Sequence, residues 1–168
     1  MINPLFAKLF SGMVENRINK WAEVKEKRAK GQAGFRPKHS IVDHGITLRH
    51  IVEKVWGRKE EVFCCFVDFK KAFDMVPRDK LWRRMEEHES PLKYGVIVHR
   101  LYEEVKVKIR TSASISESFR SDIGFKQGCP LSPTLFGLYI GKLEEWLNAR
   151  WGWCSIGGVC DKASSICR

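Results

Sequence analysis

No stretch of this 168-residue chain approaches the ~20 consecutive apolar residues that a membrane-spanning helix needs. The opening decapeptide, Met1 to Phe10, lacks both a basic leading region and a small-residue cleavage site, so no secretory signal is read there. A membrane partner is therefore not expected. An intracellular setting is expected, with nucleus and cytoplasm unresolved. Metal-knuckle spacing is missing too. Cys64 and Cys65 are adjacent, Cys129 stands alone, and Cys154, Cys160 and Cys167 are too far apart for a CxxC pair, which sets aside a zinc module that would need His88 or His99 as well. Reduced, structural thiols are the expectation.

What the chain has in excess is positive charge. Thirty Lys and Arg against twenty Asp and Glu give a net charge of +10, which favours a polyanionic partner such as nucleic acid, although basic proteins are common enough that charge alone decides little. The 43% hydrophobic content argues for a packed core, and the length allows one domain or part of a larger enzyme.

Apolar residues at Leu5, Phe6, Leu9, Phe10, Met13, Val14, Ile18, Trp21 and Val24 form one stripe at helical spacing, so a helix is expected from Leu5 to Val24, ended by the basic run Lys25 to Lys30 and by Gly31. Ser40 with Asp43 has capping-box form before a second stripe through Ile41, Leu48, Ile51 and Val55. Phe63-Cys64-Cys65-Phe66-Val67 then reads as a buried strand ending abruptly in Asp68. A strand that delivers a carboxylate to its carboxyl end places it at the rim of a sheet, where ligands bind. A lone Asp after a strand is more often a cap or turn residue, and that alternative stays open at this point.

Further helices are expected over Lys80 to His88, with Leu81, Trp82 and Met85 inward, and after Pro91. Val105, Val107 and Ile109 alternate with Lys106, Lys108 and Arg110, a half-buried strand whose outer face carries three cations, solvated or lying along a phosphate backbone. A second strand near Glu117 to Ile123 precedes Gly124-Phe125-Lys126-Gln127-Gly128-Cys129-Pro130-Leu131-Ser132-Pro133. Two glycines and two prolines there force an irregular loop, with Ser132-Pro133 suited to cap a helix running to about Ala149 and burying Leu135, Tyr139, Leu143, Trp146 and Leu147. Helices and strands in this mixture imply an α+β fold.

Taken together, Phe66-Val67-Asp68-Phe69-Lys70-Lys71-Ala72-Phe73-Asp74 resembles the first palm motif of reverse transcriptases of non-LTR (LINE-type) retrotransposons. Gly124 to Pro133 resembles the second, Gln32-Ala33-Gly34-Phe35-Arg36 the segment that precedes the palm, and Asn3 to Glu23 the finger helix before it. The likeness covers roughly residues 1 to 149 in the right order. It implies a partial fingers and palm fold, an RNA template, a DNA primer, deoxynucleoside triphosphates and a two-Mg²⁺ mechanism. By resemblance Asp68 and the main-chain carbonyl of Phe69 are metal ligands, and Phe73, with Ala72 beside it, is the aromatic gate that excludes a 2′-hydroxyl. Gln127 and Gly128 face the nucleotide and the template base. Arg36, Lys106, Lys108, Arg110 and Lys126 are the candidate nucleic-acid contacts; Asp74 belongs to the motif, its charge serving a local cap or, as the lesser alternative, a metal.

The family's third palm motif, an aromatic-Ala-Asp-Asp hairpin, is not found; after Asp122 the only aspartate is Asp161, without a second beside it. Asp68 and one carbonyl cannot hold two Mg²⁺ ions, so catalysis by this chain alone is not expected. The chain opens just after the place where the family carries a triphosphate-binding basic residue, no thumb fits in the length, and residues 150–168 read as an irregular, possibly frameshifted tail. Two functions follow: a polymerase fragment, or a non-catalytic basic nucleic-acid-binding remnant using Lys106, Lys108, Arg110, Lys126 and Lys25 to Lys30. Uncovered apolar faces near Asp68 and poor solubility are further expectations.

Overall fold

A computed structural model describes residues 5–61 and 63–151; the predicted tail falls almost wholly outside them. The described residues divide into two compact units, one within 5–27 and 70–139, the other within 28–61, 63–69 and 140–151.

The first unit holds the core. Helix α1 (Leu5–Val24) takes the predicted bounds and buries Val14, Ile18 and Ala22, one stripe at i, i+4, i+8. Helix α3 (Arg78–Glu87) buries Leu81 and Met85, and helix α4 (Leu92–Glu103) buries Val98 and Tyr102. The first half of helix α5 (Leu131–Trp151) adds Leu131, Leu135 and Leu138. These residues join Val76, Val105, Phe125 and Cys129 in one hydrophobic cluster. Between α4 and α5 the predicted strands shrink to a short antiparallel ribbon, β1 (Lys106–Val107) against β2 (Phe119–Arg120), extended by an isolated bridge between Arg110 and Ile115.

In the second unit Ser40 caps helix α2 (Ile41–Gly57), its Oγ accepting from the Val42 N–H rather than from Asp43, so the cap is real and the reciprocal box is not formed. No residue of α2 is buried: the stripe expected to face a core is on the surface, Trp56 being 79% exposed. The Gly31 N–H donates to Glu144 Oε1 of α5 at 3.3 Å.

One element differs outright from expectation. Residues 63–69 form no strand; Phe63 is 91% exposed, Phe66 82% and Val67 64%, with Cys64 and Cys65 exposed free thiols. A strand exists only by pairing, and among the described residues nothing pairs with this run, so its apolar composition leads to an uncovered segment and not to a core. The expectation of uncovered apolar surface near Asp68 is met here.

Candidate nucleotide-facing site

Immediately after the exposed run the chain folds back on itself. Lys71 adopts φ 52°, and its carbonyl accepts from the N–H groups of Asp74 at 2.9 Å and Met75 at 3.1 Å, closing a turn. The backbone from Phe73 to Pro77 then runs against the loop before α5. Pro77 bridges Ile123, the Gly124 N–H donates to the Val76 carbonyl and the Phe125 N–H to the Phe73 carbonyl, both at 2.9 Å. Gly124 is at φ +78°, and a Cβ there would overlap the main chain of Asp74, whose carbonyl carbon would lie at 2.8 Å and Cα at 2.9 Å. Only glycine fits both the left-handed backbone and the close approach.

Arg78, at the start of α3, clamps the same loop. Its Nε donates to the Gly124 carbonyl at 2.9 Å, Nη1 to those of Ser121 at 2.6 Å and Tyr102 at 3.3 Å, and Nη2 to that of Ile123 at 3.2 Å. The guanidinium is buried and lies 5.2 Å from the centroid of the Tyr102 ring. Burial lowers its pKa below the ordinary value, and four carbonyl acceptors supply what water no longer does. Lys126 Nζ sits 5.5 Å from the same ring and donates to the Leu101 carbonyl at 2.7 Å, its pKa also lowered by burial. Burial raises the pKa of the Tyr102 hydroxyl, against the opposing hydrogen bond to Ser132 Oγ at 3.3 Å. Ser132 Oγ donates to the Lys126 carbonyl at 2.9 Å. Ser132 is therefore no helix cap: α5 begins one residue earlier, and the hydroxyl ties the loop to Tyr102.

Within this frame the ring of Phe73 is half-buried, stacked on Phe136 at 4.8 Å between centroids and edge-on to Phe125 at 6.1 Å. Ala72 is half-buried beside it. Gln127 and Gly128 are exposed; Gln127 Nε2 donates to Asp74 Oδ1 at 3.0 Å, and Gly128 takes φ +74° in open space. The structure thus joins Ala72, Phe73, Asp74, Gln127 and Gly128 in one unit, with the Asp74 carboxylate engaged by an amide.

Asp68, Phe69 and Arg36 belong to the other unit. Asp68 and Phe69 lie on the exposed run, not at the end of a buried strand. Arg36 Nη1 donates to the carbonyls of Ala29 at 3.1 Å and Gln32 at 3.4 Å, bracing its own turn. Lys106, Lys108 and Arg110 are exposed along the ribbon, with Lys106 Nζ 3.2 Å from Glu104. Lys126 departs from the outward role expected of it, being half-buried against Tyr102. Arg78 and Tyr102 were not singled out from the sequence; the only trace is a proline-flanked Arg after Val76.

Mg²⁺ in phosphoryl-transfer sites is held through carboxylates. Among the described residues no group of three or more His, Cys, Asp or Glu converges as a metal cluster, so the donor set present does not fit a two-ion site.

The sequence profile described as reverse transcriptase (RNA-dependent DNA polymerase) matches residues 1–165. Among curated proteins, the probable RNA-directed DNA polymerase from transposon BS of Drosophila melanogaster is 31% identical over 138 residues, 82% of this chain and 15% of that protein. The RNA-directed DNA polymerase from mobile element jockey of Drosophila funebris is 26% identical over 84% of this chain and 15% of its own length. The probable RNA-directed DNA polymerase from transposon X-element of Drosophila melanogaster is 27% identical over 84% and 16%. The chain spans about a sixth of the length of these relatives.

Proposed function

The chain belongs to the reverse transcriptase (RNA-dependent DNA polymerase) family, and from that premise we propose that it forms the nucleotide-facing part of the fingers and palm in the polymerase of a LINE-type retrotransposon. The family generally uses Mg²⁺, an RNA template and nucleotide substrates. In this reading the substrates are deoxynucleoside triphosphates added to a DNA primer. Phe73 lies under the incoming sugar and leaves no room for a 2′-hydroxyl, a discrimination by shape. Gln127 and Gly128 pack on the nucleotide and its template base, and Asp68 with the Phe69 carbonyl offers one part of a metal-ligand set.

The observation that supports this most is the backbone tie between the two motifs. Phe125 N–H to Phe73 carbonyl, Gly124 N–H to Val76 carbonyl and Gln127 to Asp74 fix the aromatic ring and the exposed amide in one rigid frame. A site that reads a sugar on one side and a base on the other needs that fixed relation. Because the described donors do not complete a metal site, the reading includes no primer extension by this chain by itself.

Primer extension on an RNA template with Mg²⁺, run beside RNA binding at several salt concentrations and with Asp68→Ala as control, tests this. The expected result is salt-dependent RNA binding without extension. Template-directed extension that disappears in Asp68→Ala would show a complete catalytic set. Absence of RNA binding would remove the polymerase reading for this chain.

A further inference from the structure

The turn that precedes α2 is built around one strained position. Among the described residues six that are not glycine have φ above zero; five of them are charged, and the sixth is Phe35, at φ 56°. A bulky aromatic residue leaves that region unless its surroundings hold it there. Two arginines do so. Arg28, itself buried, donates from Nη1 to the Phe35 carbonyl at 3.3 Å, and Arg36 Nη1 donates to the carbonyls of Ala29 at 3.1 Å and Gln32 at 3.4 Å. The Gln32 N–H closes onto the same Ala29 carbonyl at 3.1 Å, and Ala33 is buried. What this scaffold presents to solvent is the Phe35 ring, 66% exposed.

The charge around the ring indicates what it meets. From Lys27 to Val42 the sequence has no acidic residue, while it holds Lys27, Arg28, Lys30, Arg36, Lys38 and His39. Lys30, Lys38 and His39 are exposed. Glu144 of α5 reaches the turn at the Gly31 N–H, 3.3 Å away. An outward aromatic ring among unspent cations suits an unpaired polynucleotide strand, which brings a π-face for the ring and phosphates for the lysines. A duplex offers the phosphates alone, because its bases are already stacked on one another.

We propose that Phe35 is a stacking platform for one base of single-stranded RNA, with Lys30 and Lys38 of the same turn meeting the neighbouring phosphates. This rests on the reading of the chain as a template-handling part of a polymerase, and adds to it the form of RNA and the residue that receives it. The left-handed backbone at Phe35 serves to keep the ring in solvent, where a base can reach it.

Fluorescence polarisation of the full chain with a labelled single-stranded RNA, and with a blunt duplex of the same sequence, tests this across a salt series. Phe35→Ala is expected to weaken single-strand binding about five- to 100-fold, the range for one base–aromatic stack, and to leave duplex binding unchanged. The ring carries no charge, so the slope of log affinity against log salt keeps its native value in that variant. Lys30→Ala/Lys38→Ala lowers the slope by about 1.4. Phe35→Tyr keeps the aromatic face and with it the affinity. Phe35→Gly suits the left-handed backbone; it binds as weakly as the Ala variant yet unfolds at no lower urea concentration than the native chain, which a ring retained for packing would not allow. Native single-strand affinity in Phe35→Ala, an equal loss on the duplex, or a Tyr variant as weak as Ala would overturn the proposal while leaving the polymerase reading in place. A native chain that binds no RNA would overturn both.

Discussion

Gly124 and Asp74, fifty residues apart in the chain, are packed backbone to backbone so closely that no side chain fits between them. That contact joins the turn carrying Phe73 to the loop carrying Gln127. Gly124→Ala faces both a left-handed φ and a collision with main-chain atoms that cannot rotate away. We expect a loss of about 2–4 kcal/mol in urea denaturation. An Ala variant within 1 kcal/mol of the native protein, which a loop free to relax would allow, would sink the account of this contact.

Arg78 holds the same loop from the other direction. Arg78→Met removes a guanidinium that satisfies four carbonyls, and the Gly124 carbonyl is left in a dry site. The expected cost is about 3 kcal/mol or more. Arg78→Lys keeps the charge but not the planar fork, so it recovers only part of the loss. Equal stability of the Lys variant and the native protein would show that charge alone matters there.

Gln127 is exposed and makes one hydrogen bond, to Asp74. Gln127→Ala is expected to change stability by no more than about 1 kcal/mol, since the group it frees is open to water. If the amide faces nucleotide and template, the same variant weakens deoxynucleotide binding, measured by equilibrium dialysis with the RNA present. Unchanged binding would take Gln127 out of the proposed site.

Tyr102 is buried and its pKa raised, so in the folded state it keeps its proton at pH values where an unfolded tyrosine has lost it. The folded chain then binds more protons than the unfolded one, and stability falls as pH rises past the ordinary tyrosine value of about 10. Lys126 has the opposite sign: its lowered pKa means the unfolded chain binds more protons below about 10.5, so its contribution improves as pH rises through that window. Absorbance titration is expected to show a late-ionising step from Tyr102. Tyr102→Phe removes that step and flattens the alkaline loss; a late step persisting in the variant assigns it elsewhere.

How much of this was legible beforehand depends on what each feature needs. The bounds of α1 follow from its own stripe and could be read directly. The cap at Ser40 is local chemistry and could also be read. The run at 63–69 could not, because apolar composition reports what a segment would bury and is silent on whether a neighbour exists to bury it. The stripe on α2 failed for the same reason. Arg78 draws its acceptors from residues 24 to 46 positions away, and Val76-Pro77-Arg78-Asp79 looks only like a break. Ser132 carries a cap signature that the adjoining loop overrides by offering Tyr102 and the Lys126 carbonyl. The two motifs that carry Phe73 and Gln127 stand in one frame through backbone bonds that no residue pattern announces; which cations face outward was not legible either.

That last distinction can be measured. Lys106, Lys108 and Arg110 lie exposed on the ribbon, while Lys126 is bonded to the Leu101 carbonyl and set against Tyr102. Each phosphate neutralised on a single strand contributes about 0.7 to the slope of log affinity against log salt. Replacing the three ribbon cations by Ala is therefore expected to reduce that slope for single-stranded RNA by up to about 2. Lys106 contributes least, since Glu104 already faces it. Lys126→Met is expected to leave the slope unchanged while lowering stability, because it removes an internal strut and no phosphate contact. A slope that drops for Lys126→Met and not for the triple variant would exchange the two roles, placing the nucleic acid along the loop before α5 and leaving the ribbon as solvated surface.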